Sequence, residues 1–213
     1  MDEILNHLQK IAELGVKLRI AVEPYRNSAQ SFATIAQELD VAFILEGAVR
    51  KYGNRFRVTT QLIEVKSGNH LWAESYDGIF SDTIFLVQSH IAKKIASSLN
   101  AMITLDEEKS IEKIPTTDVA AYDLYVRGYY EIWNYWRTYE DKHLKASSDL
   151  YAQALQIDPK YLQAIVGKGD TFMAVRNYDS ALIYAERAIV LDPEFNMAYG
   201  LMGDVNLQQK VDS

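Results

Sequence analysis

The 213-residue chain carries 22 basic and 29 acidic side chains, 48% hydrophobic residues and no cysteine. This suits one large globular domain or two modest ones, and it excludes structural disulfides, thiolate metal sites and thiol catalysis. Residues 1–105 hold 11 basic and 11 acidic side chains and residues 106–213 hold 11 and 18, so the net charge of −7 lies in the second half and disfavours nucleic acid as a partner there.

The amino terminus, Met1-Asp2-Glu3-Ile4-Leu5-Asn6-His7, is acidic and amphipathic; it has no basic n-region or apolar h-region, so no secretory leader is read. No stretch approaches the roughly 18 apolar residues of a membrane span. Ile4, Leu5, Leu8, Ile11, Ala12 and Leu14 recur at helical spacing over 2–14, with Gly15 as the stop. Residues 17–22, with β-branched Ile20 and Val22, read as a strand ending before Pro24. A helical period returns over 28–39 through Phe32, Ile35, Ala36 and Leu39.

Residues 42–51, 55–65 and 70–76 read as a three-stranded meander. Gly53-Asn54 is its first turn, because both residues accept positive φ, and Lys66-Ser67-Gly68-Asn69 is its second. Ser81 or Asp82 then caps a helix to about Leu105, with Ile84, Val87, Ile91, Ile95 and Leu99 as its apolar stripe. The order α-β-α-β-β-β-α predicts an α/β domain over 1–105, a mixed sheet covered by helices. The polar, charged run 106–118 is expected to be a linker, and 119–213 is helical to the end.

Within that second half the chain repeats itself. Ala154-Leu155-Gln156-Ile157-Asp158-Pro159 returns at a shift of 34 as Ala188-Ile189-Val190-Leu191-Asp192-Pro193, and Gly169-Asp170 returns as Gly203-Asp204. Over 154–170 this shift gives six identities in seventeen positions, where average composition gives about one. A period of 34 with Ala, Gly, aromatic and Pro marks is the signature of the tetratricopeptide (TPR) helical hairpin. Gly128, Gly169 and Gly203 fall at close helix crossings, and the longer spacing from Gly128 to Gly169 places seven extra residues in a loop at 134–142. About two and a half repeats are expected.

The run Ile44-Leu45-Glu46-Gly47-Ala48-Val49-Arg50-Lys51-Tyr52-Gly53-Asn54-Arg55-Phe56-Arg57-Val58-Thr59, with Gln61-Leu62-Ile63 and Gly68-Asn69-His70-Leu71-Trp72-Ala73-Glu74-Ser75-Tyr76-Asp77, resembles the TolB amino-terminal-domain-like module that precedes TPR arrays in bacterial regulatory proteins. Ala121-Tyr122-Asp123-Leu124-Tyr125-Val126-Arg127-Gly128 resembles the start of such an array. The resemblance implies a module that often follows an adenylate/guanylate cyclase domain or a DNA-binding domain. Relative to that family the chain lacks the opening strand, and it is expected to be truncated at its amino end.

Catalytic signatures are missing from the sequence. The four histidines, His7, His70, His90 and His143, have no shared metal-site spacing, and there is no H-E-x-x-H, phosphate loop or nucleophile elbow. No catalytic residue, metal or cofactor is expected. Arg50, Lys51, Arg55 and Arg57 cluster at the first hairpin turn, either as an anion contact or as a solvated tip that discourages edge pairing. Counting from the aligned glycines, a partner-binding groove would take Tyr122, Tyr125, Tyr129 and Trp133 from the first repeat, Gln163, Asp170 and Met173 from the second, and Met197, Asp204 and Leu207 from the third. An aromatic end beside two carboxylates suits a peptide carrying a basic residue; the competing reading packs the aromatics as core.

The expectation is therefore a cytoplasmic, non-catalytic protein–protein interaction scaffold of a bacterial signalling protein, with self-association left open. Two alternatives stand beside it. The chain could belong to a cyclase or other enzyme whose catalytic domain lies outside it, or to an envelope-associated (periplasmic) TolB-like structural protein.

Overall fold

A computed structural model describes residues 2–26, 28–81 and 83–212. The chain divides into two compact units, Met1–Ile114 and Pro115–Ser213.

The first unit opens with α1 (Asp2–Gln9), which buries Ile4 and Leu8, with Ile11 buried just beyond it. Of residues 17–22, read as a strand, the last four instead form the short helix α2 (Arg19–Val22), followed by a 3-10 turn at Glu23–Tyr25, and Lys17 and Leu18 are irregular. A β-branched run takes extended form when a ladder neighbour receives it, and no described strand pairs with it. Helix α3 (Phe32–Leu39) begins at Ser31, whose hydroxyl accepts the Thr34 N–H, and ends at Asp40 in the left-handed region, φ +52°.

The meander is present as β1 (Phe43–Tyr52), β2 (Arg55–Glu64) and β3 (Asn69–Ile79). It is antiparallel throughout, in the order β1-β2-β3. The expected mixed sheet is corrected on this point, since every described strand is joined to the next by a short turn. Gly53 takes φ +59°, the glycine position of a type II′ hairpin, whereas Asn54 keeps negative φ.

Phe56, Val58, Thr60 and Leu62 of β2 are buried on one face, an alternation that follows from the period of two. Helix α4 (Thr83–Ser98) packs on β3 and α1 and buries Ile84, Ile91 and Ile95. The cap candidate Asp82 lies outside the described residues. Helix α4 ends earlier than its stripe suggested, before Asn100 at φ +55°.

Part of the expected linker is helical: α5 (Leu105–Glu112). Thr104 caps it with a reciprocal capping box, its hydroxyl accepting the Glu107 N–H while the Glu107 carboxylate accepts the Thr104 N–H at 2.7 Å. That carboxylate also accepts the Ala12 N–H at 2.8 Å. Lys10 Nζ reaches Ser110 O at 2.7 Å, Ser89 Oγ reaches Ile111 O at 2.9 Å, and Ile111 is fully buried. Residues 105–112 are thus anchored to the first unit, through Ile111 and these hydrogen bonds.

The second unit is α6 (Val119–Thr138), α7 (Asp141–Ile157), α8 (Leu162–Ala174), α9 (Tyr178–Leu191) and α10 (Asn196–Asp212). Each helix packs on the next, and α8 also touches α6 and α10, so α6, α8 and α10 make one row.

The repeat of the sequence holds in three dimensions. Helices α7 and α9 end at Ile157 and Leu191, and α8 and α10 begin at Leu162 and Asn196, so both boundaries keep the same shift of 34. Ala154 and Ala188 are fully buried, as are Ala164 and Ala198. Asp158 and Asp192 each accept the N–H two residues on, at 3.0 and 3.1 Å. The seven extra residues are not a loop: α6 has 20 residues where α8 has 13, and only Tyr139 and Glu140 separate it from α7.

Candidate partner-binding surface

Close approach of α8 and α10 is set by Gly169. A Cβ there would lie 2.4 Å from Leu201 Cδ2, so the leucine fills the space that the glycine leaves. Asp170 follows Gly169 on α8, and Asp204 follows Leu201 by three on α10. The two carboxyls are therefore near enough to act on each other. Burial, and then the Asp204 charge, push the half-buried Asp170 carboxyl up to about 7. Asp204 itself is exposed.

Neither carboxylate forms an ion pair with a described residue. Lys168, two positions before Asp170, turns toward α7, where its Nζ donates to Ser148 O at 3.0 Å. Burial pushes this lysine's pKa down.

The aromatic stripe of α6 changes character along its length. Tyr122 and Tyr125 are buried. The Tyr125 ring lies 5.1 Å from Tyr161, 5.9 Å from Tyr151 and 6.2 Å from Tyr129. Tyr129 and Trp133, 6.2 Å apart edge to face, are half-buried. The first pair therefore spends its surface on helix packing, and the second pair keeps surface toward solvent.

Gln163 and Met173 are half-buried, Met173 against the α8–α10 core, while Met197 and Leu207 are exposed. The structure thus brings Asp170 and Asp204 together and divides the aromatics between core and surface.

Sequence reading did not single out Tyr151. Its ring is buried in α7 between two glycines: a Cβ on Gly128 would lie 2.9 Å from it, and one on Gly167 2.6 Å. Burial, and then the Asp170 charge, hold the Tyr151 hydroxyl well above the usual phenol range. A signal was present, since the repeat shift sets Tyr151 against Ala185, a large residue against a small one. Gly203, aligned with Gly128 and Gly169, has no atom within 4 Å of a built Cβ, so no close crossing occurs there among the described residues.

The basic cluster of the first unit does not converge. Arg57 makes a two-pronged pair with Asp77 at 2.8 and 2.9 Å, and Lys51 Nζ lies 4.0 Å over the Phe80 ring. Arg50 and Arg55 are exposed. Among the described residues no cluster of His, Asp and Glu suits a metal ion, and no helix is long and apolar enough to cross a membrane.

No protein-family model matches the chain. A stretch of 126 residues, 59% of the chain, is 36% identical to part of a protein of Rhizobium meliloti (strain 1021) named "Putative adenylate cyclase 3". The matched part is 21% of that relative, so the chain is similar to about a fifth of a protein bearing a cyclase name.

Proposed function

We propose that the chain is a non-catalytic interaction segment of a cyclase-type bacterial signalling protein, with the cytoplasm as its setting. In this reading a TolB-like module is followed by TPR-type helical hairpins, whose α6–α8–α10 row receives a basic stretch of a protein partner. The observation that carries it is the Asp170–Asp204 pair on touching helices, two carboxylates without a described counter-charge. Such a pair gains from a Lys or Arg placed between its members, because a partly desolvated ion pair is screened less than one in water. The recurrence of buried alanines and helix ends at one constant shift supports the hairpin array, and the similarity to part of a cyclase-named protein supports the signalling context.

A competing reading makes the chain itself part of a nucleotide-converting enzyme. Incubating the purified chain with ATP or GTP and Mg²⁺ or Mn²⁺ separates the two. The proposal expects no cyclic nucleotide, and turnover of either nucleotide contradicts it.

A further inference from the structure

The outer edge of β1 is ten residues long and unpaired among the described residues. Its hydrogen-bonding parity is fixed. Val65 N donates to Ala42 O at 3.0 Å, and β1 pairs with β2 in unbroken register from Phe43↔Glu64 to Tyr52↔Arg55. Even-numbered residues of β1 therefore exchange hydrogen bonds with β2. Odd-numbered ones, Phe43, Leu45, Gly47, Val49 and Lys51, point N–H and C=O outward. Val49 is 46% exposed and Tyr52 62% exposed, so no described element lies over this part of the strand.

We infer that this edge pairs with the same edge of a second copy, about a two-fold axis at Ala48. An axis normal to the sheet keeps each side chain on its own face, so it must pass through a single residue of β1. Centring on Gly47 sets Glu46 against Ala48, and centring on Val49 sets Glu46 against Tyr52. Centring on Ala48 alone sets Glu46 against Arg50 of the second copy, and does so twice. In that register Leu45↔Lys51 and Gly47↔Val49 are the hydrogen-bonded pairs, giving about eight main-chain bonds across the seam. Glu46↔Arg50 is then a non-hydrogen-bonded pair, the kind in which opposed side chains come closest.

Within one chain Arg50 stands opposite Arg57, whose guanidinium is already taken by Asp77. Glu46 accepts from Gln61, a neutral amide. Both charges thus gain a counter-charge from the pairing. The other edge, β3, is less suited, because its register with β2 shifts between Leu62 and Ile63, an irregularity of the kind that protects edges.

The test uses the whole 24.3 kDa chain, which has no cysteine. At the axis the two Ala48 Cα atoms would be about 4.5 Å apart, within disulfide range. Mild oxidation of Ala48→Cys should therefore yield a covalent dimer, whereas Ser75→Cys, exposed on β3, should not. By sedimentation equilibrium the unmodified chain should be a reversible dimer. Arg50→Glu and Glu46→Arg should each weaken it about tenfold or more, and the double swap E46R/R50E should restore it. Three results overturn the inference: a monomer across the micromolar range, a dimer indifferent to the single reversals, or an Ala48→Cys variant that cross-links no better than Ser75→Cys. A monomer is also what pairing of residues 17–22 with this edge would produce.

Discussion

At the residue scale the chemistry concentrates on Asp170. An unfolded aspartate titrates near 3.9, whereas Asp170 in the folded chain titrates near 7. Between those values the folded state holds a proton that the unfolded state has lost, so the carboxyl subtracts stability as pH rises through that window. Asp170→Asn should therefore gain stability over the parent at pH 8, by about 2 kcal/mol after discounting for the carboxyl's partial contact with solvent, and gain little at pH 4. Urea melts at both pH values measure this; an equal effect at both would remove the shifted carboxyl. The glycines give a second contrast. Gly167→Ala drives a methyl into the Tyr151 ring and should cost about 2–3 kcal/mol. Gly203→Ala meets open space and should be neutral or gain up to about 1 kcal/mol. The positions of Asp170 and Asp204 were legible because one strict repeat shift carries the first onto the second. The division of the aromatics was not, since Tyr125 and Trp133 share one helical spacing and only the neighbouring helices bury the first.

At the element scale the largest departure is α5. The composition of 106–118 suggested a linker, yet Thr104-x-x-Glu107 is a capping-box signature that sequence alone displays. What sequence could not show is that the Glu107 carboxylate also accepts from Ala12, tying the box to a segment far away along the chain. Thr104→Ala should destabilise the first unit by about 1 kcal/mol. Trypsin should spare Lys109 in the native chain and cut it only on unfolding; rapid native cleavage there would restore the linker reading. Residues 17–22 failed in the opposite sense. Their β-branched pattern describes how a strand would use them, but strand formation depends on a ladder partner that the local sequence does not contain. The extra residues of α6 were counted correctly and assigned to the wrong form, because helix-forming aromatics near 134–138 continue the helix to Thr138 as readily as they make a loop.

At the scale of the whole molecule, a sheet-containing unit precedes a helical unit whose stacking follows the sequence period. That period sets which helix ends recur, which alanines are buried and which carboxylates meet. In the proposed reading, Asp170 and Asp204 together recognise positive charge on a partner. Fluorescence anisotropy with short labelled peptides carrying a central Arg, against the same peptides with Gln, decides it. The chain should prefer the Arg peptides, the preference should weaken from pH 8 to pH 6 as Asp170 takes up its proton, and Asp170→Asn with Asp204→Asn should abolish it. An Arg preference unchanged in the doubly neutralised variant, or no preference at pH 8, would contradict it.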